Sequence, residues 1–232
     1  MPTSAPGSGP TTITPAAAQA ARDAALGKFR AKFVVTRENV LGKFKDTGVR
    51  VYEFESGLVR QKVGQSPQVY RWDRIAEVRQ SSKAEYLNGA YTGTWFTYTI
   101  TRDDGESMTI SGAYYDPNRS RNADPNSTSS KYEALGRSVV LKVSNIQLPR
   151  ALETLGKGES LTFGDITISA AGVQAAKQSV VPWPEITEVK VDKGYVRIKR
   201  ANKVLALSNR PVARIPNFPL FMTLADALRR QG

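Results

Sequence analysis

The sequence has no cysteine and no histidine among its 232 residues. Those two absences remove disulfides, thiolate nucleophiles, imidazole bases and every Cys/His metal site. No metal, no cofactor and no catalytic residue is therefore expected, and the chain reads as a non-enzyme. Long apolar runs are missing as well. Nothing approaches the ~18 consecutive residues that a membrane-spanning helix needs. Residues 1–15 carry neither a basic start nor an apolar stretch, so no secretory leader is read there. A cysteine-free chain suits a reducing compartment, and the expected location is cytoplasmic, at most peripheral at the inner membrane face. Without a leader, the glycosylation-like triplets Asn118-Arg119-Ser120 and Asn126-Ser127-Thr128 read as chance. Asp116, Asn118 and Ser120 begin like a calcium loop, but Arg121 stands where Gly is needed and Ser127 where Glu is needed.

What the chain has in excess is positive charge, a formal net of +12. Such a balance favours an acidic partner, either nucleic acid or an anionic membrane face. The excess is shared along the chain. Residues 156–232 hold twelve Lys/Arg against six Asp/Glu, and residues 1–155 hold twenty-one against fifteen. Density is highest from Lys190 to Lys203. There Arg197 and Lys199 share one strand face, with Lys193 at the turn and Lys203 just beyond. In the first half Arg60 and Lys62 share a face after the Gly57 turn, with Arg71 nearby. These seven residues, Arg60, Lys62, Arg71, Lys193, Arg197, Lys199 and Lys203, are the candidate anion-binding set.

Residues 1–24 are rich in Ala, Pro, Thr, Ser and Gly, and cannot bury enough surface to offset their ordering entropy. They read as a low-complexity, disordered tail with at most a helical turn near Ala16–Ala25. Period-two alternation then marks strands over Lys28–Thr36, Val51–Glu55, Leu58–Val63, Gln68–Trp72 and Arg74–Gln80. Residues 37–50 have no readable period. Trp95–Arg102 and Ser107–Ser111 flank Asp103-Asp104-Gly105, a strong hairpin signal. Residues 113–130 read as a long loop. From Lys131 to Leu155 the period changes to three or four, giving an amphipathic helix capped by Ser129 or Ser130, kinked or ended at Pro149 and stopped by Gly156-Lys157-Gly158. Strands then restart over Leu161–Ser169, Val173–Gln178, Val180–Trp183, Glu185–Asp192, Tyr195–Arg200 and Val204–Leu207, six in all. A final helix follows Ile215-Pro216-Asn217, with Asn217 as its expected N-cap.

One string occurs twice in this pattern. Trp72-Asp73-Arg74-Ile75-Ala76-Glu77-Val78 and Trp183-Pro184-Glu185-Ile186-Thr187-Glu188-Val189 both read W-x-x-I-x-E-V, each after a Gly-hydrophobic turn. Trp72, Ile75, Val78, Trp183, Ile186 and Val189 are the expected core anchors of two equivalent units. The series of strand, Gly turn, W-x-x-I-x-E-V, further hairpins, Ile-Pro-Asn and helix resembles a bacterial pleckstrin-homology-like (PH-like) domain. The pair resembles an uncharacterised domain family with tandem PH-like units. The resemblance covers about four fifths of the chain and is stronger in the second copy. It implies a mainly β fold with α: two antiparallel rolls or partly open barrels, each capped by a C-terminal helix. The units would be residues 25–155 and 156–232. It carries no catalytic mechanism, because such domains bind lipids, peptides or proteins.

The paired carboxylates offer little chemistry. Glu53 and Glu55 alternate with Tyr52 and Phe54 on a strand, and Asp103 and Asp104 sit in a turn that favours Asp. Three functions compete. A non-enzymatic adaptor would dock on a protein or peptide, with anionic-lipid surface contact in addition. The alternative is nucleic-acid binding through the basic strand faces, which lack the row of aromatics that single-strand binders use. An enzyme is disfavoured by the missing residue types.

Overall fold

A computed structural model of the chain describes residues 12–38, 44–176 and 178–231. Among these the fold is mainly β, with fourteen strands in four antiparallel sheets and three α-helices. No sheet among the described residues closes into a barrel. The chain divides into two compact units, residues 1–74 and 75–232.

The first unit is a four-stranded meander, β1 (Phe29–Glu38), β2 (Phe44–Phe54), β3 (Gly57–Lys62) and β4 (Gln68–Arg71), in that spatial order. Part of the stretch that gave no period, residues 37–50, is thus strand, and residues 39–43 lie outside the described residues. Helix α1 (Pro15–Asp23) lies within the segment expected to be a disordered tail. Its start is specified locally. Thr14 takes the N-cap and accepts the Ala17 N–H, and Pro15 follows at a position where a missing N–H costs nothing. Ala17 and Ala21 are buried against Leu26, Tyr52, Phe54 and Val59. Small side chains let this helix approach the sheet closely, so burial comes from contact distance rather than from side-chain size. The composition of the segment hid that.

The second unit begins with a three-stranded sheet, β5 (Ile75–Leu87), β6 (Ala90–Arg102) and β7 (Ser107–Tyr114). β5 and β6 run beyond the expected strands and meet at Asn88-Gly89, whose φ values of +50° and +80° suit a tight hairpin turn. The signal was obscured because residues 81–87 alternate nothing: they are exposed on almost every side. Helix α2 (Thr128–Gly156) follows, capped by Ser127, which accepts the Ser130 N–H at 3.1 Å. It continues past Pro149, where a kink or end was expected, and does not end there. It stops where expected, with Gly158 at φ +79° and the Glu159 N–H reaching back to Thr154 O.

Beyond α2 the structure has seven strands where six were expected. The single strand read over 161–169 is a hairpin, β8 (Leu161–Phe163) and β9 (Ile166–Ser169), turned at Gly164 with φ +65°. Arg214 O would lie 2.4 Å from a Cβ there, so glycine is required on two counts. With β10 (Gly172–Ala175) and β11 (Val181–Pro182) these form a second four-stranded sheet. The last sheet is β12 (Ile186–Asp192), β13 (Tyr195–Arg200) and β14 (Ser208–Pro211). The final strand was expected at Val204–Leu207, but Val204 and Leu205 are solvent-exposed and pairing begins at Ser208. Helix α3 (Phe218–Gln231) ends the fold.

One core joins β8–β14 and α3: Phe163, Ile166, Ile168, Trp183, Val196, Ile198, Phe221 and Leu224 among others. Ala151 and Leu155, from the last turns of α2, belong to the same core. That explains why compactness divides the chain after Arg74, whereas the sequence repeat divides it after residue 155.

Candidate functional site

Trp72 and Trp183 are buried in equivalent settings. Each begins a 3₁₀ turn, Trp72–Arg74 or Trp183–Glu185, that links a four-stranded sheet to the strand after it. Each indole N–H donates to a backbone carbonyl at 2.9 Å, Glu55 O for Trp72 and Ser169 O for Trp183. The residue before each tryptophan pairs with the glycine of the preceding turn, Arg71 with Gly57 and Pro182 with Gly172. A Cβ on Gly57 would meet Tyr70 O at 2.6 Å, and one on Gly172 would meet Val181 O at 2.2 Å. Glycine and tryptophan are thus two halves of one corner. Ile75, Val78 and Ile186 are buried, and Val189 is partly so.

Arg60 donates to Gln68 Oε1 at 2.7 Å, across the β3–β4 pair. Lys62 is exposed at the end of β3. Arg71 forms a fork onto Asp73, at 2.9 and 3.0 Å, and also donates to Ala24 O at the end of α1. Its role is to hold that helix terminus, where a cation meets the negative end of the helix dipole.

On β12–β13 the charges form a lattice. Glu188 accepts Lys190 at 2.7 Å and Lys199 at 2.8 Å, while Asp192 pairs with Arg197 at 3.0 Å. The two ammoniums, Lys190 first, hold the Glu188 carboxyl below the usual range. Lys190 stands directly opposite Arg197 in the register, a like-charge pair that Glu188 and Asp192 offset. Lys193 and Lys203 are exposed and make no ion pair among the described residues. The hairpin therefore carries four candidate cations besides Lys190, and Arg197 and Lys199, like Lys190, are already matched to carboxylates. An incoming phosphate or carboxylate would have to displace Glu188 and Asp192 to use them. Of the acidic pairs named from sequence, Glu55 accepts Arg30 at 2.6 Å, and Asp104 accepts Arg102 and the Glu106 N–H.

Sequence reasoning did not find the feature that shapes the rest of this unit. Asn217 has φ +48°, and although its carbonyl accepts the Phe221 N–H at 3.1 Å its side chain does not cap α3. Its side-chain oxygen accepts the Val78 N–H at 2.8 Å, its side-chain nitrogen donates to Ala76 O at 2.9 Å, and its own N–H donates to Val78 O at 2.9 Å. A carboxamide is a peptide group in miniature, so Asn217 pairs with the edge of β5 as a strand residue would. Gln147 of α2 adds a donor to Ile75 O at 2.9 Å. A cleft of about 290 Å³ lies beside this clamp, floored by Ala76 and Phe163 and walled by Arg150 and Thr154. The only hint in the sequence was Asn after Pro, which suits a left-handed corner as well as a cap.

Two further surfaces went unread. Tyr86, Tyr91 and Tyr115 stack edge to face near the Asn88-Gly89 turn, with Arg119 donating to the Tyr86 hydroxyl at 2.7 Å. Trp95 is exposed nearby and donates to Glu85. Inside the unit, Glu133 is buried and is held by the Tyr98 hydroxyl at 3.1 Å and Arg137 at 2.9 Å. Burial, then the Glu133 charge, pushes the Tyr98 phenol upward. Among the described residues no three acidic side chains gather as a metal site, and no helix is long and apolar enough to cross a membrane.

The model of a family of unknown function, DUF6585, matches residues 45–231. No curated protein matches the chain.

Proposed function

The chain belongs to the DUF6585 family, and from that premise we propose that it is a non-enzymatic binding module of two PH-like repeats, residues 25–155 and 156–232. It docks on a protein or peptide in the cytoplasm, with an anionic surface, at most the inner face of the membrane, as a secondary contact. What supports the repeat is the element order. Four strands, a tryptophan-led 3₁₀ turn, three strands and a helix occur twice, with the same Gly–Trp corner in each.

The observation that carries the functional reading is the β12–β13 charge lattice. Its cations are pre-aligned but partly neutralised. Each Lys or Arg near an anionic surface contributes ~1 kcal/mol at best. Four would give ~4 kcal/mol, roughly millimolar binding. A lipid headgroup alone is therefore too weak a ligand for this face, and a protein partner must supply further contact. Nucleic acid fits less well, because a phosphate backbone would have to displace Glu188 and Asp192 along the whole face.

The test measures binding to anionic vesicles and to single- and double-stranded oligonucleotides across a salt series. Weak vesicle binding that falls with salt, and no tight oligonucleotide binding, is the expected pattern. Tight oligonucleotide binding with a steep salt slope would overturn the adaptor reading.

A further inference from the structure

The second repeat has a counterpart of the strand edge that Asn217 occupies in the first. In the repeat reading above, on which this inference rests, Thr187 stands where Ala76 does and Val189 where Val78 does. The two strands share a detail beyond sequence. Both break register at the same place, between Ile75 and Glu77 in β5 and between Ile186 and Glu188 in β12.

The direction of the edge follows from the hydrogen bonds. The Leu207 N–H donates to Ile198 O, so Ile198 turns its backbone groups toward the β14 side. Val189 stands opposite Ile198. In an antiparallel ladder such a pair faces away from itself, so the Val189 N–H and C=O point off the open side of the sheet. β12 is the outer strand there, and on the side away from β13 it pairs with no strand among the described residues. Val191, in register with the buried Val196, is nonetheless 45% exposed. An apolar residue at an unpaired edge is a liability unless something covers it.

We infer that the β12 edge from Thr187 to Val191 is a docking edge for a partner protein that presents a Pro-Asn corner. The occupant is read from the chain itself. At the equivalent edge Pro216-Asn217 supplies one acceptor and two donors, matched to Val78 N–H, Val78 O and Ala76 O. The corner of a second copy is not available, because its own β5 already holds it. Val191 adds an apolar contact that the polar Gln80 does not give in the first repeat.

The test uses the full-length chain, labelled for amide NMR, titrated with a synthetic peptide of residues 212–219. The expected result is saturable shifts at Thr187–Val191 with the Val78 amide unmoved. A peptide carrying Asn217→Ala should bind about thirtyfold more weakly, the equivalent of its two lost side-chain hydrogen bonds. Val189→Pro should weaken binding of the unaltered peptide at least as much, since an outer strand tolerates proline where its N–H faces outward. The peptide variant needs no change in the protein, so a folding defect in Val189→Pro leaves the test intact. Shifts centred on Val78, no shifts at millimolar peptide, or equal binding of the Asn217→Ala peptide would each overturn the proposal. Vesicle binding without peptide binding would sink the docking edge alone and leave the binding-module reading standing.

Discussion

Replacing Gly136 by alanine sets two effects of opposite sign against each other. Gly136 lies inside α2, where alanine should stabilise the helix by ~1 kcal/mol. The site forbids it. A Cβ there would lie 2.1, 2.3 and 2.7 Å from ring atoms of Tyr98. Ordinary contact would require a separation of ~3.5 Å or more, so ring or helix must shift by more than an ångström. Tyr98 cannot swing aside cheaply: its hydroxyl is bonded to the buried Glu133, and its ring is buried beside Phe96. Overpacking costs ~1–3 kcal/mol. Losing the Tyr98 bond leaves a buried carboxylate short of a donor, at ~1–3 kcal/mol more. Net of the helix gain, Gly136→Ala should destabilise by ~1–5 kcal/mol. For a unit of this size that lowers the melting temperature by roughly 2–20 °C. Thermal unfolding followed by circular dichroism reads this directly, and the double variant with Tyr98→Ala should lose most of the added penalty. An unchanged or raised melting temperature in the single variant would refute the reasoning.

Other outcomes follow from the same geometry. Trp183→Ala should cost ~3–5 kcal/mol, seen as a fall in melting temperature of about 10 °C; an unchanged curve would contradict its place in the core. Tyr52 is fully buried and its hydroxyl has no hydrogen-bond partner among the described residues, so Tyr52→Phe should match or exceed the parent in denaturant midpoint. Asp46 is held at a pKa of about 2, chiefly by Arg50 and then by the Gly48 N–H. Its folded pKa is depressed, so its stabilisation is present above the ordinary value near 3.8 and is lost as pH falls through about 2. Carboxyl NMR titration should show that midpoint move upward in Arg50→Gln. Glu188→Gln releases Lys190 and Lys199 and should strengthen anionic-vesicle binding by about fivefold; weaker or unaltered binding would remove the β12–β13 face from consideration.

Alternation was the most legible property of this chain. Trp95–Arg102 and Tyr195–Arg200 each have one buried face, and there a period of two translates directly into strand. Where both faces are wet, as over residues 81–87, the period vanishes though the strand remains. Val204 and Leu205 show the reverse: apolar residues drew a strand to a loop, while Ser208-Asn209-Arg210-Pro211 pairs with β13 through its backbone. Pro149 was expected to break α2, yet the packing of Val139, Val143, Ala151 and Leu155 on either side outweighs one missing hydrogen bond. The basic residues could be counted but not grouped. Their meaning depends on which carboxylate each one meets, and Glu188 and Asp192 looked no different in sequence from any other strand acid. Asn217 was the hardest to foresee, since its partners lie some 140 positions earlier.

The reach of α2 into the second core has a practical consequence for dissecting the molecule. The run Gly156-Lys157-Gly158 looks like a natural place to cut a gene, and the cut would be a poor one. A fragment starting there would lack Leu155 and Ala151 from beneath Phe163 and Trp183, and its Asn217 would have no Val78 to hold. A fragment ending there would leave those same apolar side chains in water and uncover β5. Each half should express as sticky, partly molten material, whereas a fragment beginning at Ile75 keeps the seam whole.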